Sequence, residues 1–151
     1  MRANQIAASL DAVPQLPPSV FTKRCEIRWR DMDAFQHVNN SVYLTYLEET
    51  RDEWFLEVLG NGLLLLDFVL ARSAVDFRSP LTQDDGDVDC EVRATRVGTS
   101  SVTMAEKITS VRDGRVAAEA ESVVVYIDRE TGKSRPMTDE IRKAFNRWLL
   151  T

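Results

Sequence analysis

The run Arg24-Cys25-Glu26-Ile27-Arg28-Trp29-Arg30 passes into Asp31-Met32-Asp33-Ala34-Phe35-Gln36-His37-Val38-Asn39-Asn40-Ser41, and this junction decides how the chain is read. The first half alternates. Cys25, Ile27 and Trp29 fall on one side, and Arg24, Glu26, Arg28 and Arg30 on the other. A period of two belongs to a strand with one buried face. The second half is polar and ends in residues that cap helices well. Beyond it Leu44, Leu47, Trp54, Phe55 and Val58 recur at helical spacing. This predicts a helix from Ser41 to Leu59, stopped by Gly60 and Gly62. Arg51 falls on the same apolar stripe and needs a partner or an edge. Glu48 and Glu49 are read as surface residues or as that partner.

Four further strand-like runs follow. Over Phe68 to Phe77 the alternation puts Val69, Ala71, Ser73, Val75 and Phe77 on one face. Asp87 to Arg96 sets Val88, Cys90, Val92 and Ala94 against Asp87, Asp89, Glu91 and Arg93. Gly98 marks a turn before Ser100 to Val111. Asp113-Gly114 signals a hairpin into Val116 to Asp128. Thr138 caps a last helix reaching Leu150, with Asp139 and Glu140 in its first turn. Helix and strands are segregated along the chain, so the class is α+β with a mostly antiparallel sheet around the long helix. One helix covers only part of such a sheet. A homodimer or larger homo-oligomer is therefore expected.

Upstream, residues 1–21 carry Pro14, Pro17 and Pro18 and little periodicity, and read as an N-terminal arm. Residues 22–151 then make one domain, in keeping with a chain of 151 residues, 44% hydrophobic and 28% charged. Lys plus Arg number 19 against 24 for Asp plus Glu, a net charge of −5. Nucleic-acid binding through overall charge is thereby disfavoured. No apolar run approaches a membrane span, as Leu63 to Leu66 is broken by Asp67. Two cysteines, Cys25 and Cys90, make neither a disulfide framework nor a zinc site, and point to a reducing cytoplasm. No cofactor or metal is expected.

The candidate chemistry lies between Asp31 and Tyr43. Two carboxylates, the chain's single histidine, two adjacent asparagines and a tyrosine sit ahead of a helix N-terminus. Helix ends offer unpaired N–H groups and partial positive charge. A carboxylate to activate water or attack directly, with amides to receive an oxyanion, is equipment for hydrolysis of an activated acyl group. Each residue also has a plainer role. Asp33 suits a turn, His37 a structural bond, Asn39 and Asn40 caps, Tyr43 packing. Their co-occurrence as Asp-x-x-x-His-x-Asn-Asn-x-x-Tyr is what favours a site.

Arg28 to Leu44, followed by Leu47-Glu48-Glu49 and Arg51, resembles the signature of the hotdog-fold acyl-CoA thioesterases, closest to their 4-hydroxybenzoyl-CoA thioesterase-like branch. Gln36 to Asn40 is also similar to the plant acyl-ACP thioesterases. The likeness extends more loosely through Asp85-Gly86-Asp87 and Val97-Gly98-Thr99-Ser100-Ser101 to about Asp128. It implies a long helix wrapped by a five- or six-stranded antiparallel sheet, with dimers or tetramers whose active sites lie at subunit interfaces. It implies that Asp33 is the catalytic carboxylate and His37 its companion, and that acyl-CoA or acyl-ACP is the substrate. Backbone groups of Val38, Asn39 and Asn40 would hold the oxyanion, with Tyr43 beside them. Phe35 stands where the plant enzymes have a catalytic asparagine, and Gln36 where many bacterial relatives have glycine. For the coenzyme A phosphates the candidates are Arg72, Arg78, Arg93 and Arg96, with Ser100 and Ser101. A non-catalytic acyl-CoA-binding dimer is the alternative from another class.

Overall fold

The structure, a computed structural model, describes residues 19–60 and 65–149. The expected arm therefore lies outside the described residues as far as residue 18, as do the expected stop at Gly62 and the helix end at Leu150. Strand β1 (Phe21–Glu26) leads to α1 (Asn40–Leu59), and then come β2 (Phe68–Phe77), β3 (Asp87–Val97), β4 (Ser101–Ser110), β5 (Val116–Tyr126) and α2 (Asp139–Asn146). The strands form one antiparallel sheet in the order β1-β3-β4-β5-β2, so β1 and β2 are its edges. Five strands wrap one face around α1, the hotdog arrangement. No helix among the described residues is long and apolar enough to cross a membrane.

Helix α1 forms because its buried residues keep a three-four spacing: Tyr43, Tyr46, Leu47, Thr50, Arg51, Trp54, Phe55 and Val58. Asn39 caps it by accepting the Ser41 N–H, and Gly60 ends it in the left-handed conformation at φ 62°. Leu44, expected in the core, is 42% exposed, because Tyr43 takes the inward position beside it. The predicted α2 is shorter than expected, ending at Asn146, though Thr138 caps it as read by accepting the Ile141 N–H.

Two strand readings need correction. Trp29 does not continue the β1 face. The Arg28 N–H turns back to the Asp31 carboxylate, a 3-10 turn spans Trp29–Asp31, and the indole ends up 78% exposed. In β2 a bulge between Leu70 and Arg72 shifts the register against β5. Val69 and Ala71 are consequently exposed, while Phe68, Ser73 and Val75 are half-buried.

The interior holds two apolar clusters. Cys25, Ile27, Val38, Tyr43, Tyr46, Leu47, Val88, Cys90 and Ile108 fill one end. Trp54, Phe55, Val58, Val92, Met104, Val124 and Tyr126 fill the other, closed by Phe145 and Trp148 from the α2 region. A polar band separates them. Arg51 stands between Leu47 and Trp54, Glu106 between Met104 and Ile108, and Ser122 between Ala118 and Val124. Arg51 therefore finds its partner in Glu106, at 2.8 Å, and not in Glu48 or Glu49.

Candidate active site

The segment from Met32 to Val38 folds back on itself as a closed loop. Met32 and Val38 pair antiparallel. The Asp33 N–H donates to His37 O at 3.0 Å, and the Gln36 N–H to Asp33 O at 2.9 Å. Gln36 takes φ 63°, the left-handed conformation the tight return requires. The loop is tied to its surroundings at both ends. The Val38 N–H donates to Leu81 O at 2.8 Å, and the Asn39 N–H to Asp31 O at 2.9 Å.

Asp33 is half-buried on this loop. Its Oδ1 accepts the Phe35 N–H at 2.9 Å and its Oδ2 accepts Asn39 Nδ2 at 3.2 Å. The Asn39 side chain thus works in two directions, since its Oδ1 accepts both the N–H and the Oγ–H of Ser41. The carboxylate is oriented by Asn39 and a loop amide, and His37 contributes to its position only through the backbone. Asp31, two residues earlier, is buried and anchors the loop from below. Tyr46 Oη donates to its Oδ2 at 2.6 Å, as does the Arg28 N–H at 2.8 Å. Burial raises the Asp31 pKa, but the Tyr46 hydroxyl and the Arg28 amide and guanidinium outweigh it and hold the carboxyl below its usual value. Burial, and then the facing Asp31, push the Tyr46 phenol far up.

A pocket of about 250 Å3 opens beside the loop, lined by His37, Val38, Asn40, Tyr43, Phe77, Arg78, Ser79 and Pro80. Tyr43 fixes its floor. The Tyr43 hydroxyl accepts the Leu81 N–H at 3.1 Å and donates to Ser79 O at 3.4 Å, and its ring meets Phe77 edge-on at 5.2 Å. Burial raises the pKa of this phenol, so it serves as a neutral donor. Among the backbone amides of residues 38–41, those of Val38, Asn39 and Ser41 are taken. Only the Asn40 N–H, at the first turn of α1, has no partner among the described residues. This corrects the expectation that Val38 and Asn39 present their amides. Val38 is buried and bonded to Leu81, and Asn39 is a cap and a support for Asp33.

The structure therefore brings His37, Asn40, Tyr43 and Arg78 to one pocket, with Asp33 and Asn39 next to it. Arg78 is shared with Glu119 at 2.9 Å and Asp76 at 3.4 Å. Ser100 and Ser101 are not brought there. They lie at the opposite end of the sheet, where the Tyr126 N–H meets Ser100 O and Ser101 pairs with Val125. The length of β3, roughly 33 Å, separates the two ends. Arg72 is paired with Glu121 on the sheet's exposed edge. Phe77, Ser79 and Pro80 were not foreseen as pocket residues. The Ser79-Pro80 break directly after a strand is the signal that marks them. A larger hollow of about 650 Å3 lies on the outer sheet face among Thr22, Glu91, Arg93, Lys107 and Glu119, and has no helix end or catalytic loop at its rim. Among the described residues no three His, Cys, Asp or Glu gather as a metal would require.

Residues 27–145 match the family model of the thioesterase-like superfamily. A long-chain acyl-CoA thioesterase of Escherichia coli (strain K12), FadM, is 27% identical over 124 residues, which are 78% of this chain and 91% of that protein. The solved structure of a Thermus thermophilus thioesterase complexed with coenzyme A and Zn superposes with a TM-score of 0.76 at 32% identity, covering 86% of this chain and 93% of that one. A 1,4-dihydroxy-2-naphthoyl-CoA thioesterase from Synechocystis shares the fold, with a TM-score of 0.72 at 20% identity over 84% of this chain and 96% of that one. The strand-loop-helix junction around Asp33, the wrapped helix and these likenesses agree, and the chain belongs to the thioesterase-like superfamily as a hotdog-fold thioester hydrolase.

Proposed function

We propose that the protein hydrolyses acyl-CoA thioesters to the free acid and coenzyme A, with Asp33 as the general base. The observation that carries this reading is the Asp33 carboxylate, half-buried at the start of α1 with one donor on each oxygen. Those donors fix its orientation and leave each oxygen a lone pair for a proton from water. The water attacks the thioester carbonyl, and the oxyanion is met by the Asn40 N–H at the positive end of α1 and by His37. Collapse expels the coenzyme A thiolate. Direct attack by Asp33, giving a mixed anhydride, is the other route open to a carboxylate here. Tyr43 and Phe77 flank the acyl group, and Arg78 meets the anionic carrier.

Coenzyme A suits the site because its compact phosphates need only a local cation such as Arg78, and not a basic surface, on a chain of net charge −5. A second copy completes the site in this reading. Among the described residues the β2 edge has no neighbouring strand, and it carries exposed Val69, Leu70 and Phe77. Two such edges joined antiparallel turn the partner's far end, with its Ser100 and Ser101, toward this pocket. The unpaired thiols of Cys25 and Cys90 fit a reducing cytoplasm.

The test is Asp33→Asn, assayed for thiol release over acyl-CoA chain lengths and aryl-CoA compounds. We expect normal folding and a loss of at least about a hundredfold in kcat, the scale of general-base catalysis. Unchanged turnover removes Asp33 from the mechanism. Binding without release by the unsubstituted protein on every thioester supports a non-catalytic acyl-CoA binder instead.

A further inference from the structure

The polar band through the interior is the buried charged group for which hydrolysis has no use. Arg51 Nη1 donates to Glu106 Oε1, with side chains only 7% and 0% exposed. Ser122 Oγ lies 2.6 Å from Glu106 Oε2 and 3.1 Å from Ser73 Oγ. Apolar residues of the same size generally serve stability as well as a buried ion pair does, so stability alone is a weak reason for this band.

The band has a direction. A carboxylate paired with a guanidinium only accepts, so the single Ser122 proton goes to Glu106. Ser73 must then supply the proton of its contact with Ser122. Ser73 Oγ is left with accepting capacity only, and Ser73 is the one member of the band that is half-buried rather than buried. Whatever it binds from outside must be a donor.

Ser73 lies on β2, which runs alongside α1 in the opposite sense. Tyr43 meets Phe77 at one end, and Phe55 meets Phe68 at 5.1 Å at the other. Between them Phe77, Val75 and Ser73 alternate along one face of β2, and Leu44, Arg51 and Phe55 share one flank of α1. Phe77 belongs to the catalytic pocket. From there to Ser73 is four residues of strand, roughly 13 Å. Leu44 and Phe77 are both exposed at the Tyr43 end of this flank.

We propose that the acyl chain runs from the catalytic pocket along the flank between α1 and β2 and that Ser73 accepts a hydrogen bond from a hydroxyl carried on it, so that the enzyme favours hydroxylated acyl thioesters. The inference rests on the hydrolytic reading of the Asp33 site and adds the substrate class to it.

The experiment compares acyl-CoA thioesters of increasing length with their ω-hydroxy and ω-methoxy counterparts, on the unsubstituted protein, Ser73→Ala and Ser73→Thr. A methoxy group accepts but cannot donate. At the length that reaches Ser73 we expect kcat/KM for the hydroxy compound to exceed both others by about tenfold, the effect of one hydrogen bond. Ser73→Ala abolishes that preference, lowering kcat/KM for the hydroxy compound to that of the other two, whereas Ser73→Thr keeps it. Equal rates for hydroxy and methoxy compounds at every length overturn the proposal. So does a Ser73→Ala variant that slows all three in proportion. Absence of thiol release from every thioester overturns the hydrolytic reading instead, and calorimetric binding of the same intact compounds then decides the role of Ser73.

Discussion

Tyr46 Oη donates to Asp31 Oδ2 across 2.6 Å, joining the second turn of α1 to the turn that launches the Asp33 loop. The carboxylate is 4% exposed and the tyrosine 1%. This bond, with the Asn39 N–H on Asp31 O, sets the loop's position relative to the helix end. Tyr46→Phe leaves Asp31 buried and short of one donor. A cost of ~2 kcal/mol is expected, the range for bonds to charged groups, seen as a lower urea midpoint. The rate should fall as well, with KM little changed, because the loop is loosened and the pocket walls at Phe77 and Pro80 are untouched.

Asn39 separates support from capping. Asn39→Ser keeps a good cap for α1 but removes the Nδ2 donor to Asp33. Thermal stability should stay near that of the unsubstituted protein while kcat drops about tenfold, the effect of one hydrogen bond to a charged group. Asn39→Ala loses both functions and should show both defects. A full rate in Asn39→Ser would mean that Asp33 does not need this contact.

Acid stability should turn on Asp85. Burial raises its pKa, but the Arg115 guanidinium, the Thr82 amide and the Ser110 hydroxyl prevail and hold it at about 2, against an ordinary 3.8. A depressed carboxyl pKa stabilises the fold above the ordinary value, and that contribution is lost as pH falls through the folded value. The urea midpoint should therefore decline between pH 3.8 and about 2, and Asp85→Asn should flatten that decline. The pocket is involved too, since Arg115 Nη2 also holds Pro80 O at 2.9 Å.

Self-association should depend on the β2 edge. Leu70 is 49% exposed there, beside Val69. Leu70→Lys places a charge on an edge strand, a change that blocks edge pairing. Sedimentation velocity should show the unsubstituted protein as a dimer or larger and the variant shifted toward monomer. Turnover should fall with dissociation if a second copy completes the site.

The fold was legible where periodicity was clean. Val88, Cys90, Val92 and Ala94 are buried as their alternation predicts, because β3 is central and pairs regularly along most of its length. Legibility failed where hydrogen bonds interrupt a period. The Arg28 amide bond to Asp31 swings Trp29 outward, and the β2 bulge exchanges its faces after Leu70. The site was legible as a segment, since Asp33, His37, Asn40 and Tyr43 are near one another in sequence. Its distant walls were not, because Phe77 and Pro80 reach it through long-range contacts, the Tyr43 bonds to Ser79 and Leu81, the Tyr43–Phe77 ring contact and the Val38 bond to Leu81. The task of each amide was also hidden. Leu81 claims the Val38 N–H and Asp31 the Asn39 N–H across contacts that no local pattern announces.

The Arg51–Glu106 pair, set between the two apolar clusters, works as a bulkhead. Forward of it, Tyr43, Tyr46 and Leu47 brace the loop that bears Asp33. Aft of it, Trp54, Phe145 and Trp148 pack among themselves. Core packing is rigid and passes on changes of volume to its neighbours, but here that transmission meets a hydrogen-bonded wall. Packing on the aft side can therefore change while the forward side that braces the Asp33 loop keeps its shape, which lets the rear of the core vary in sequence without disturbing the catalytic end.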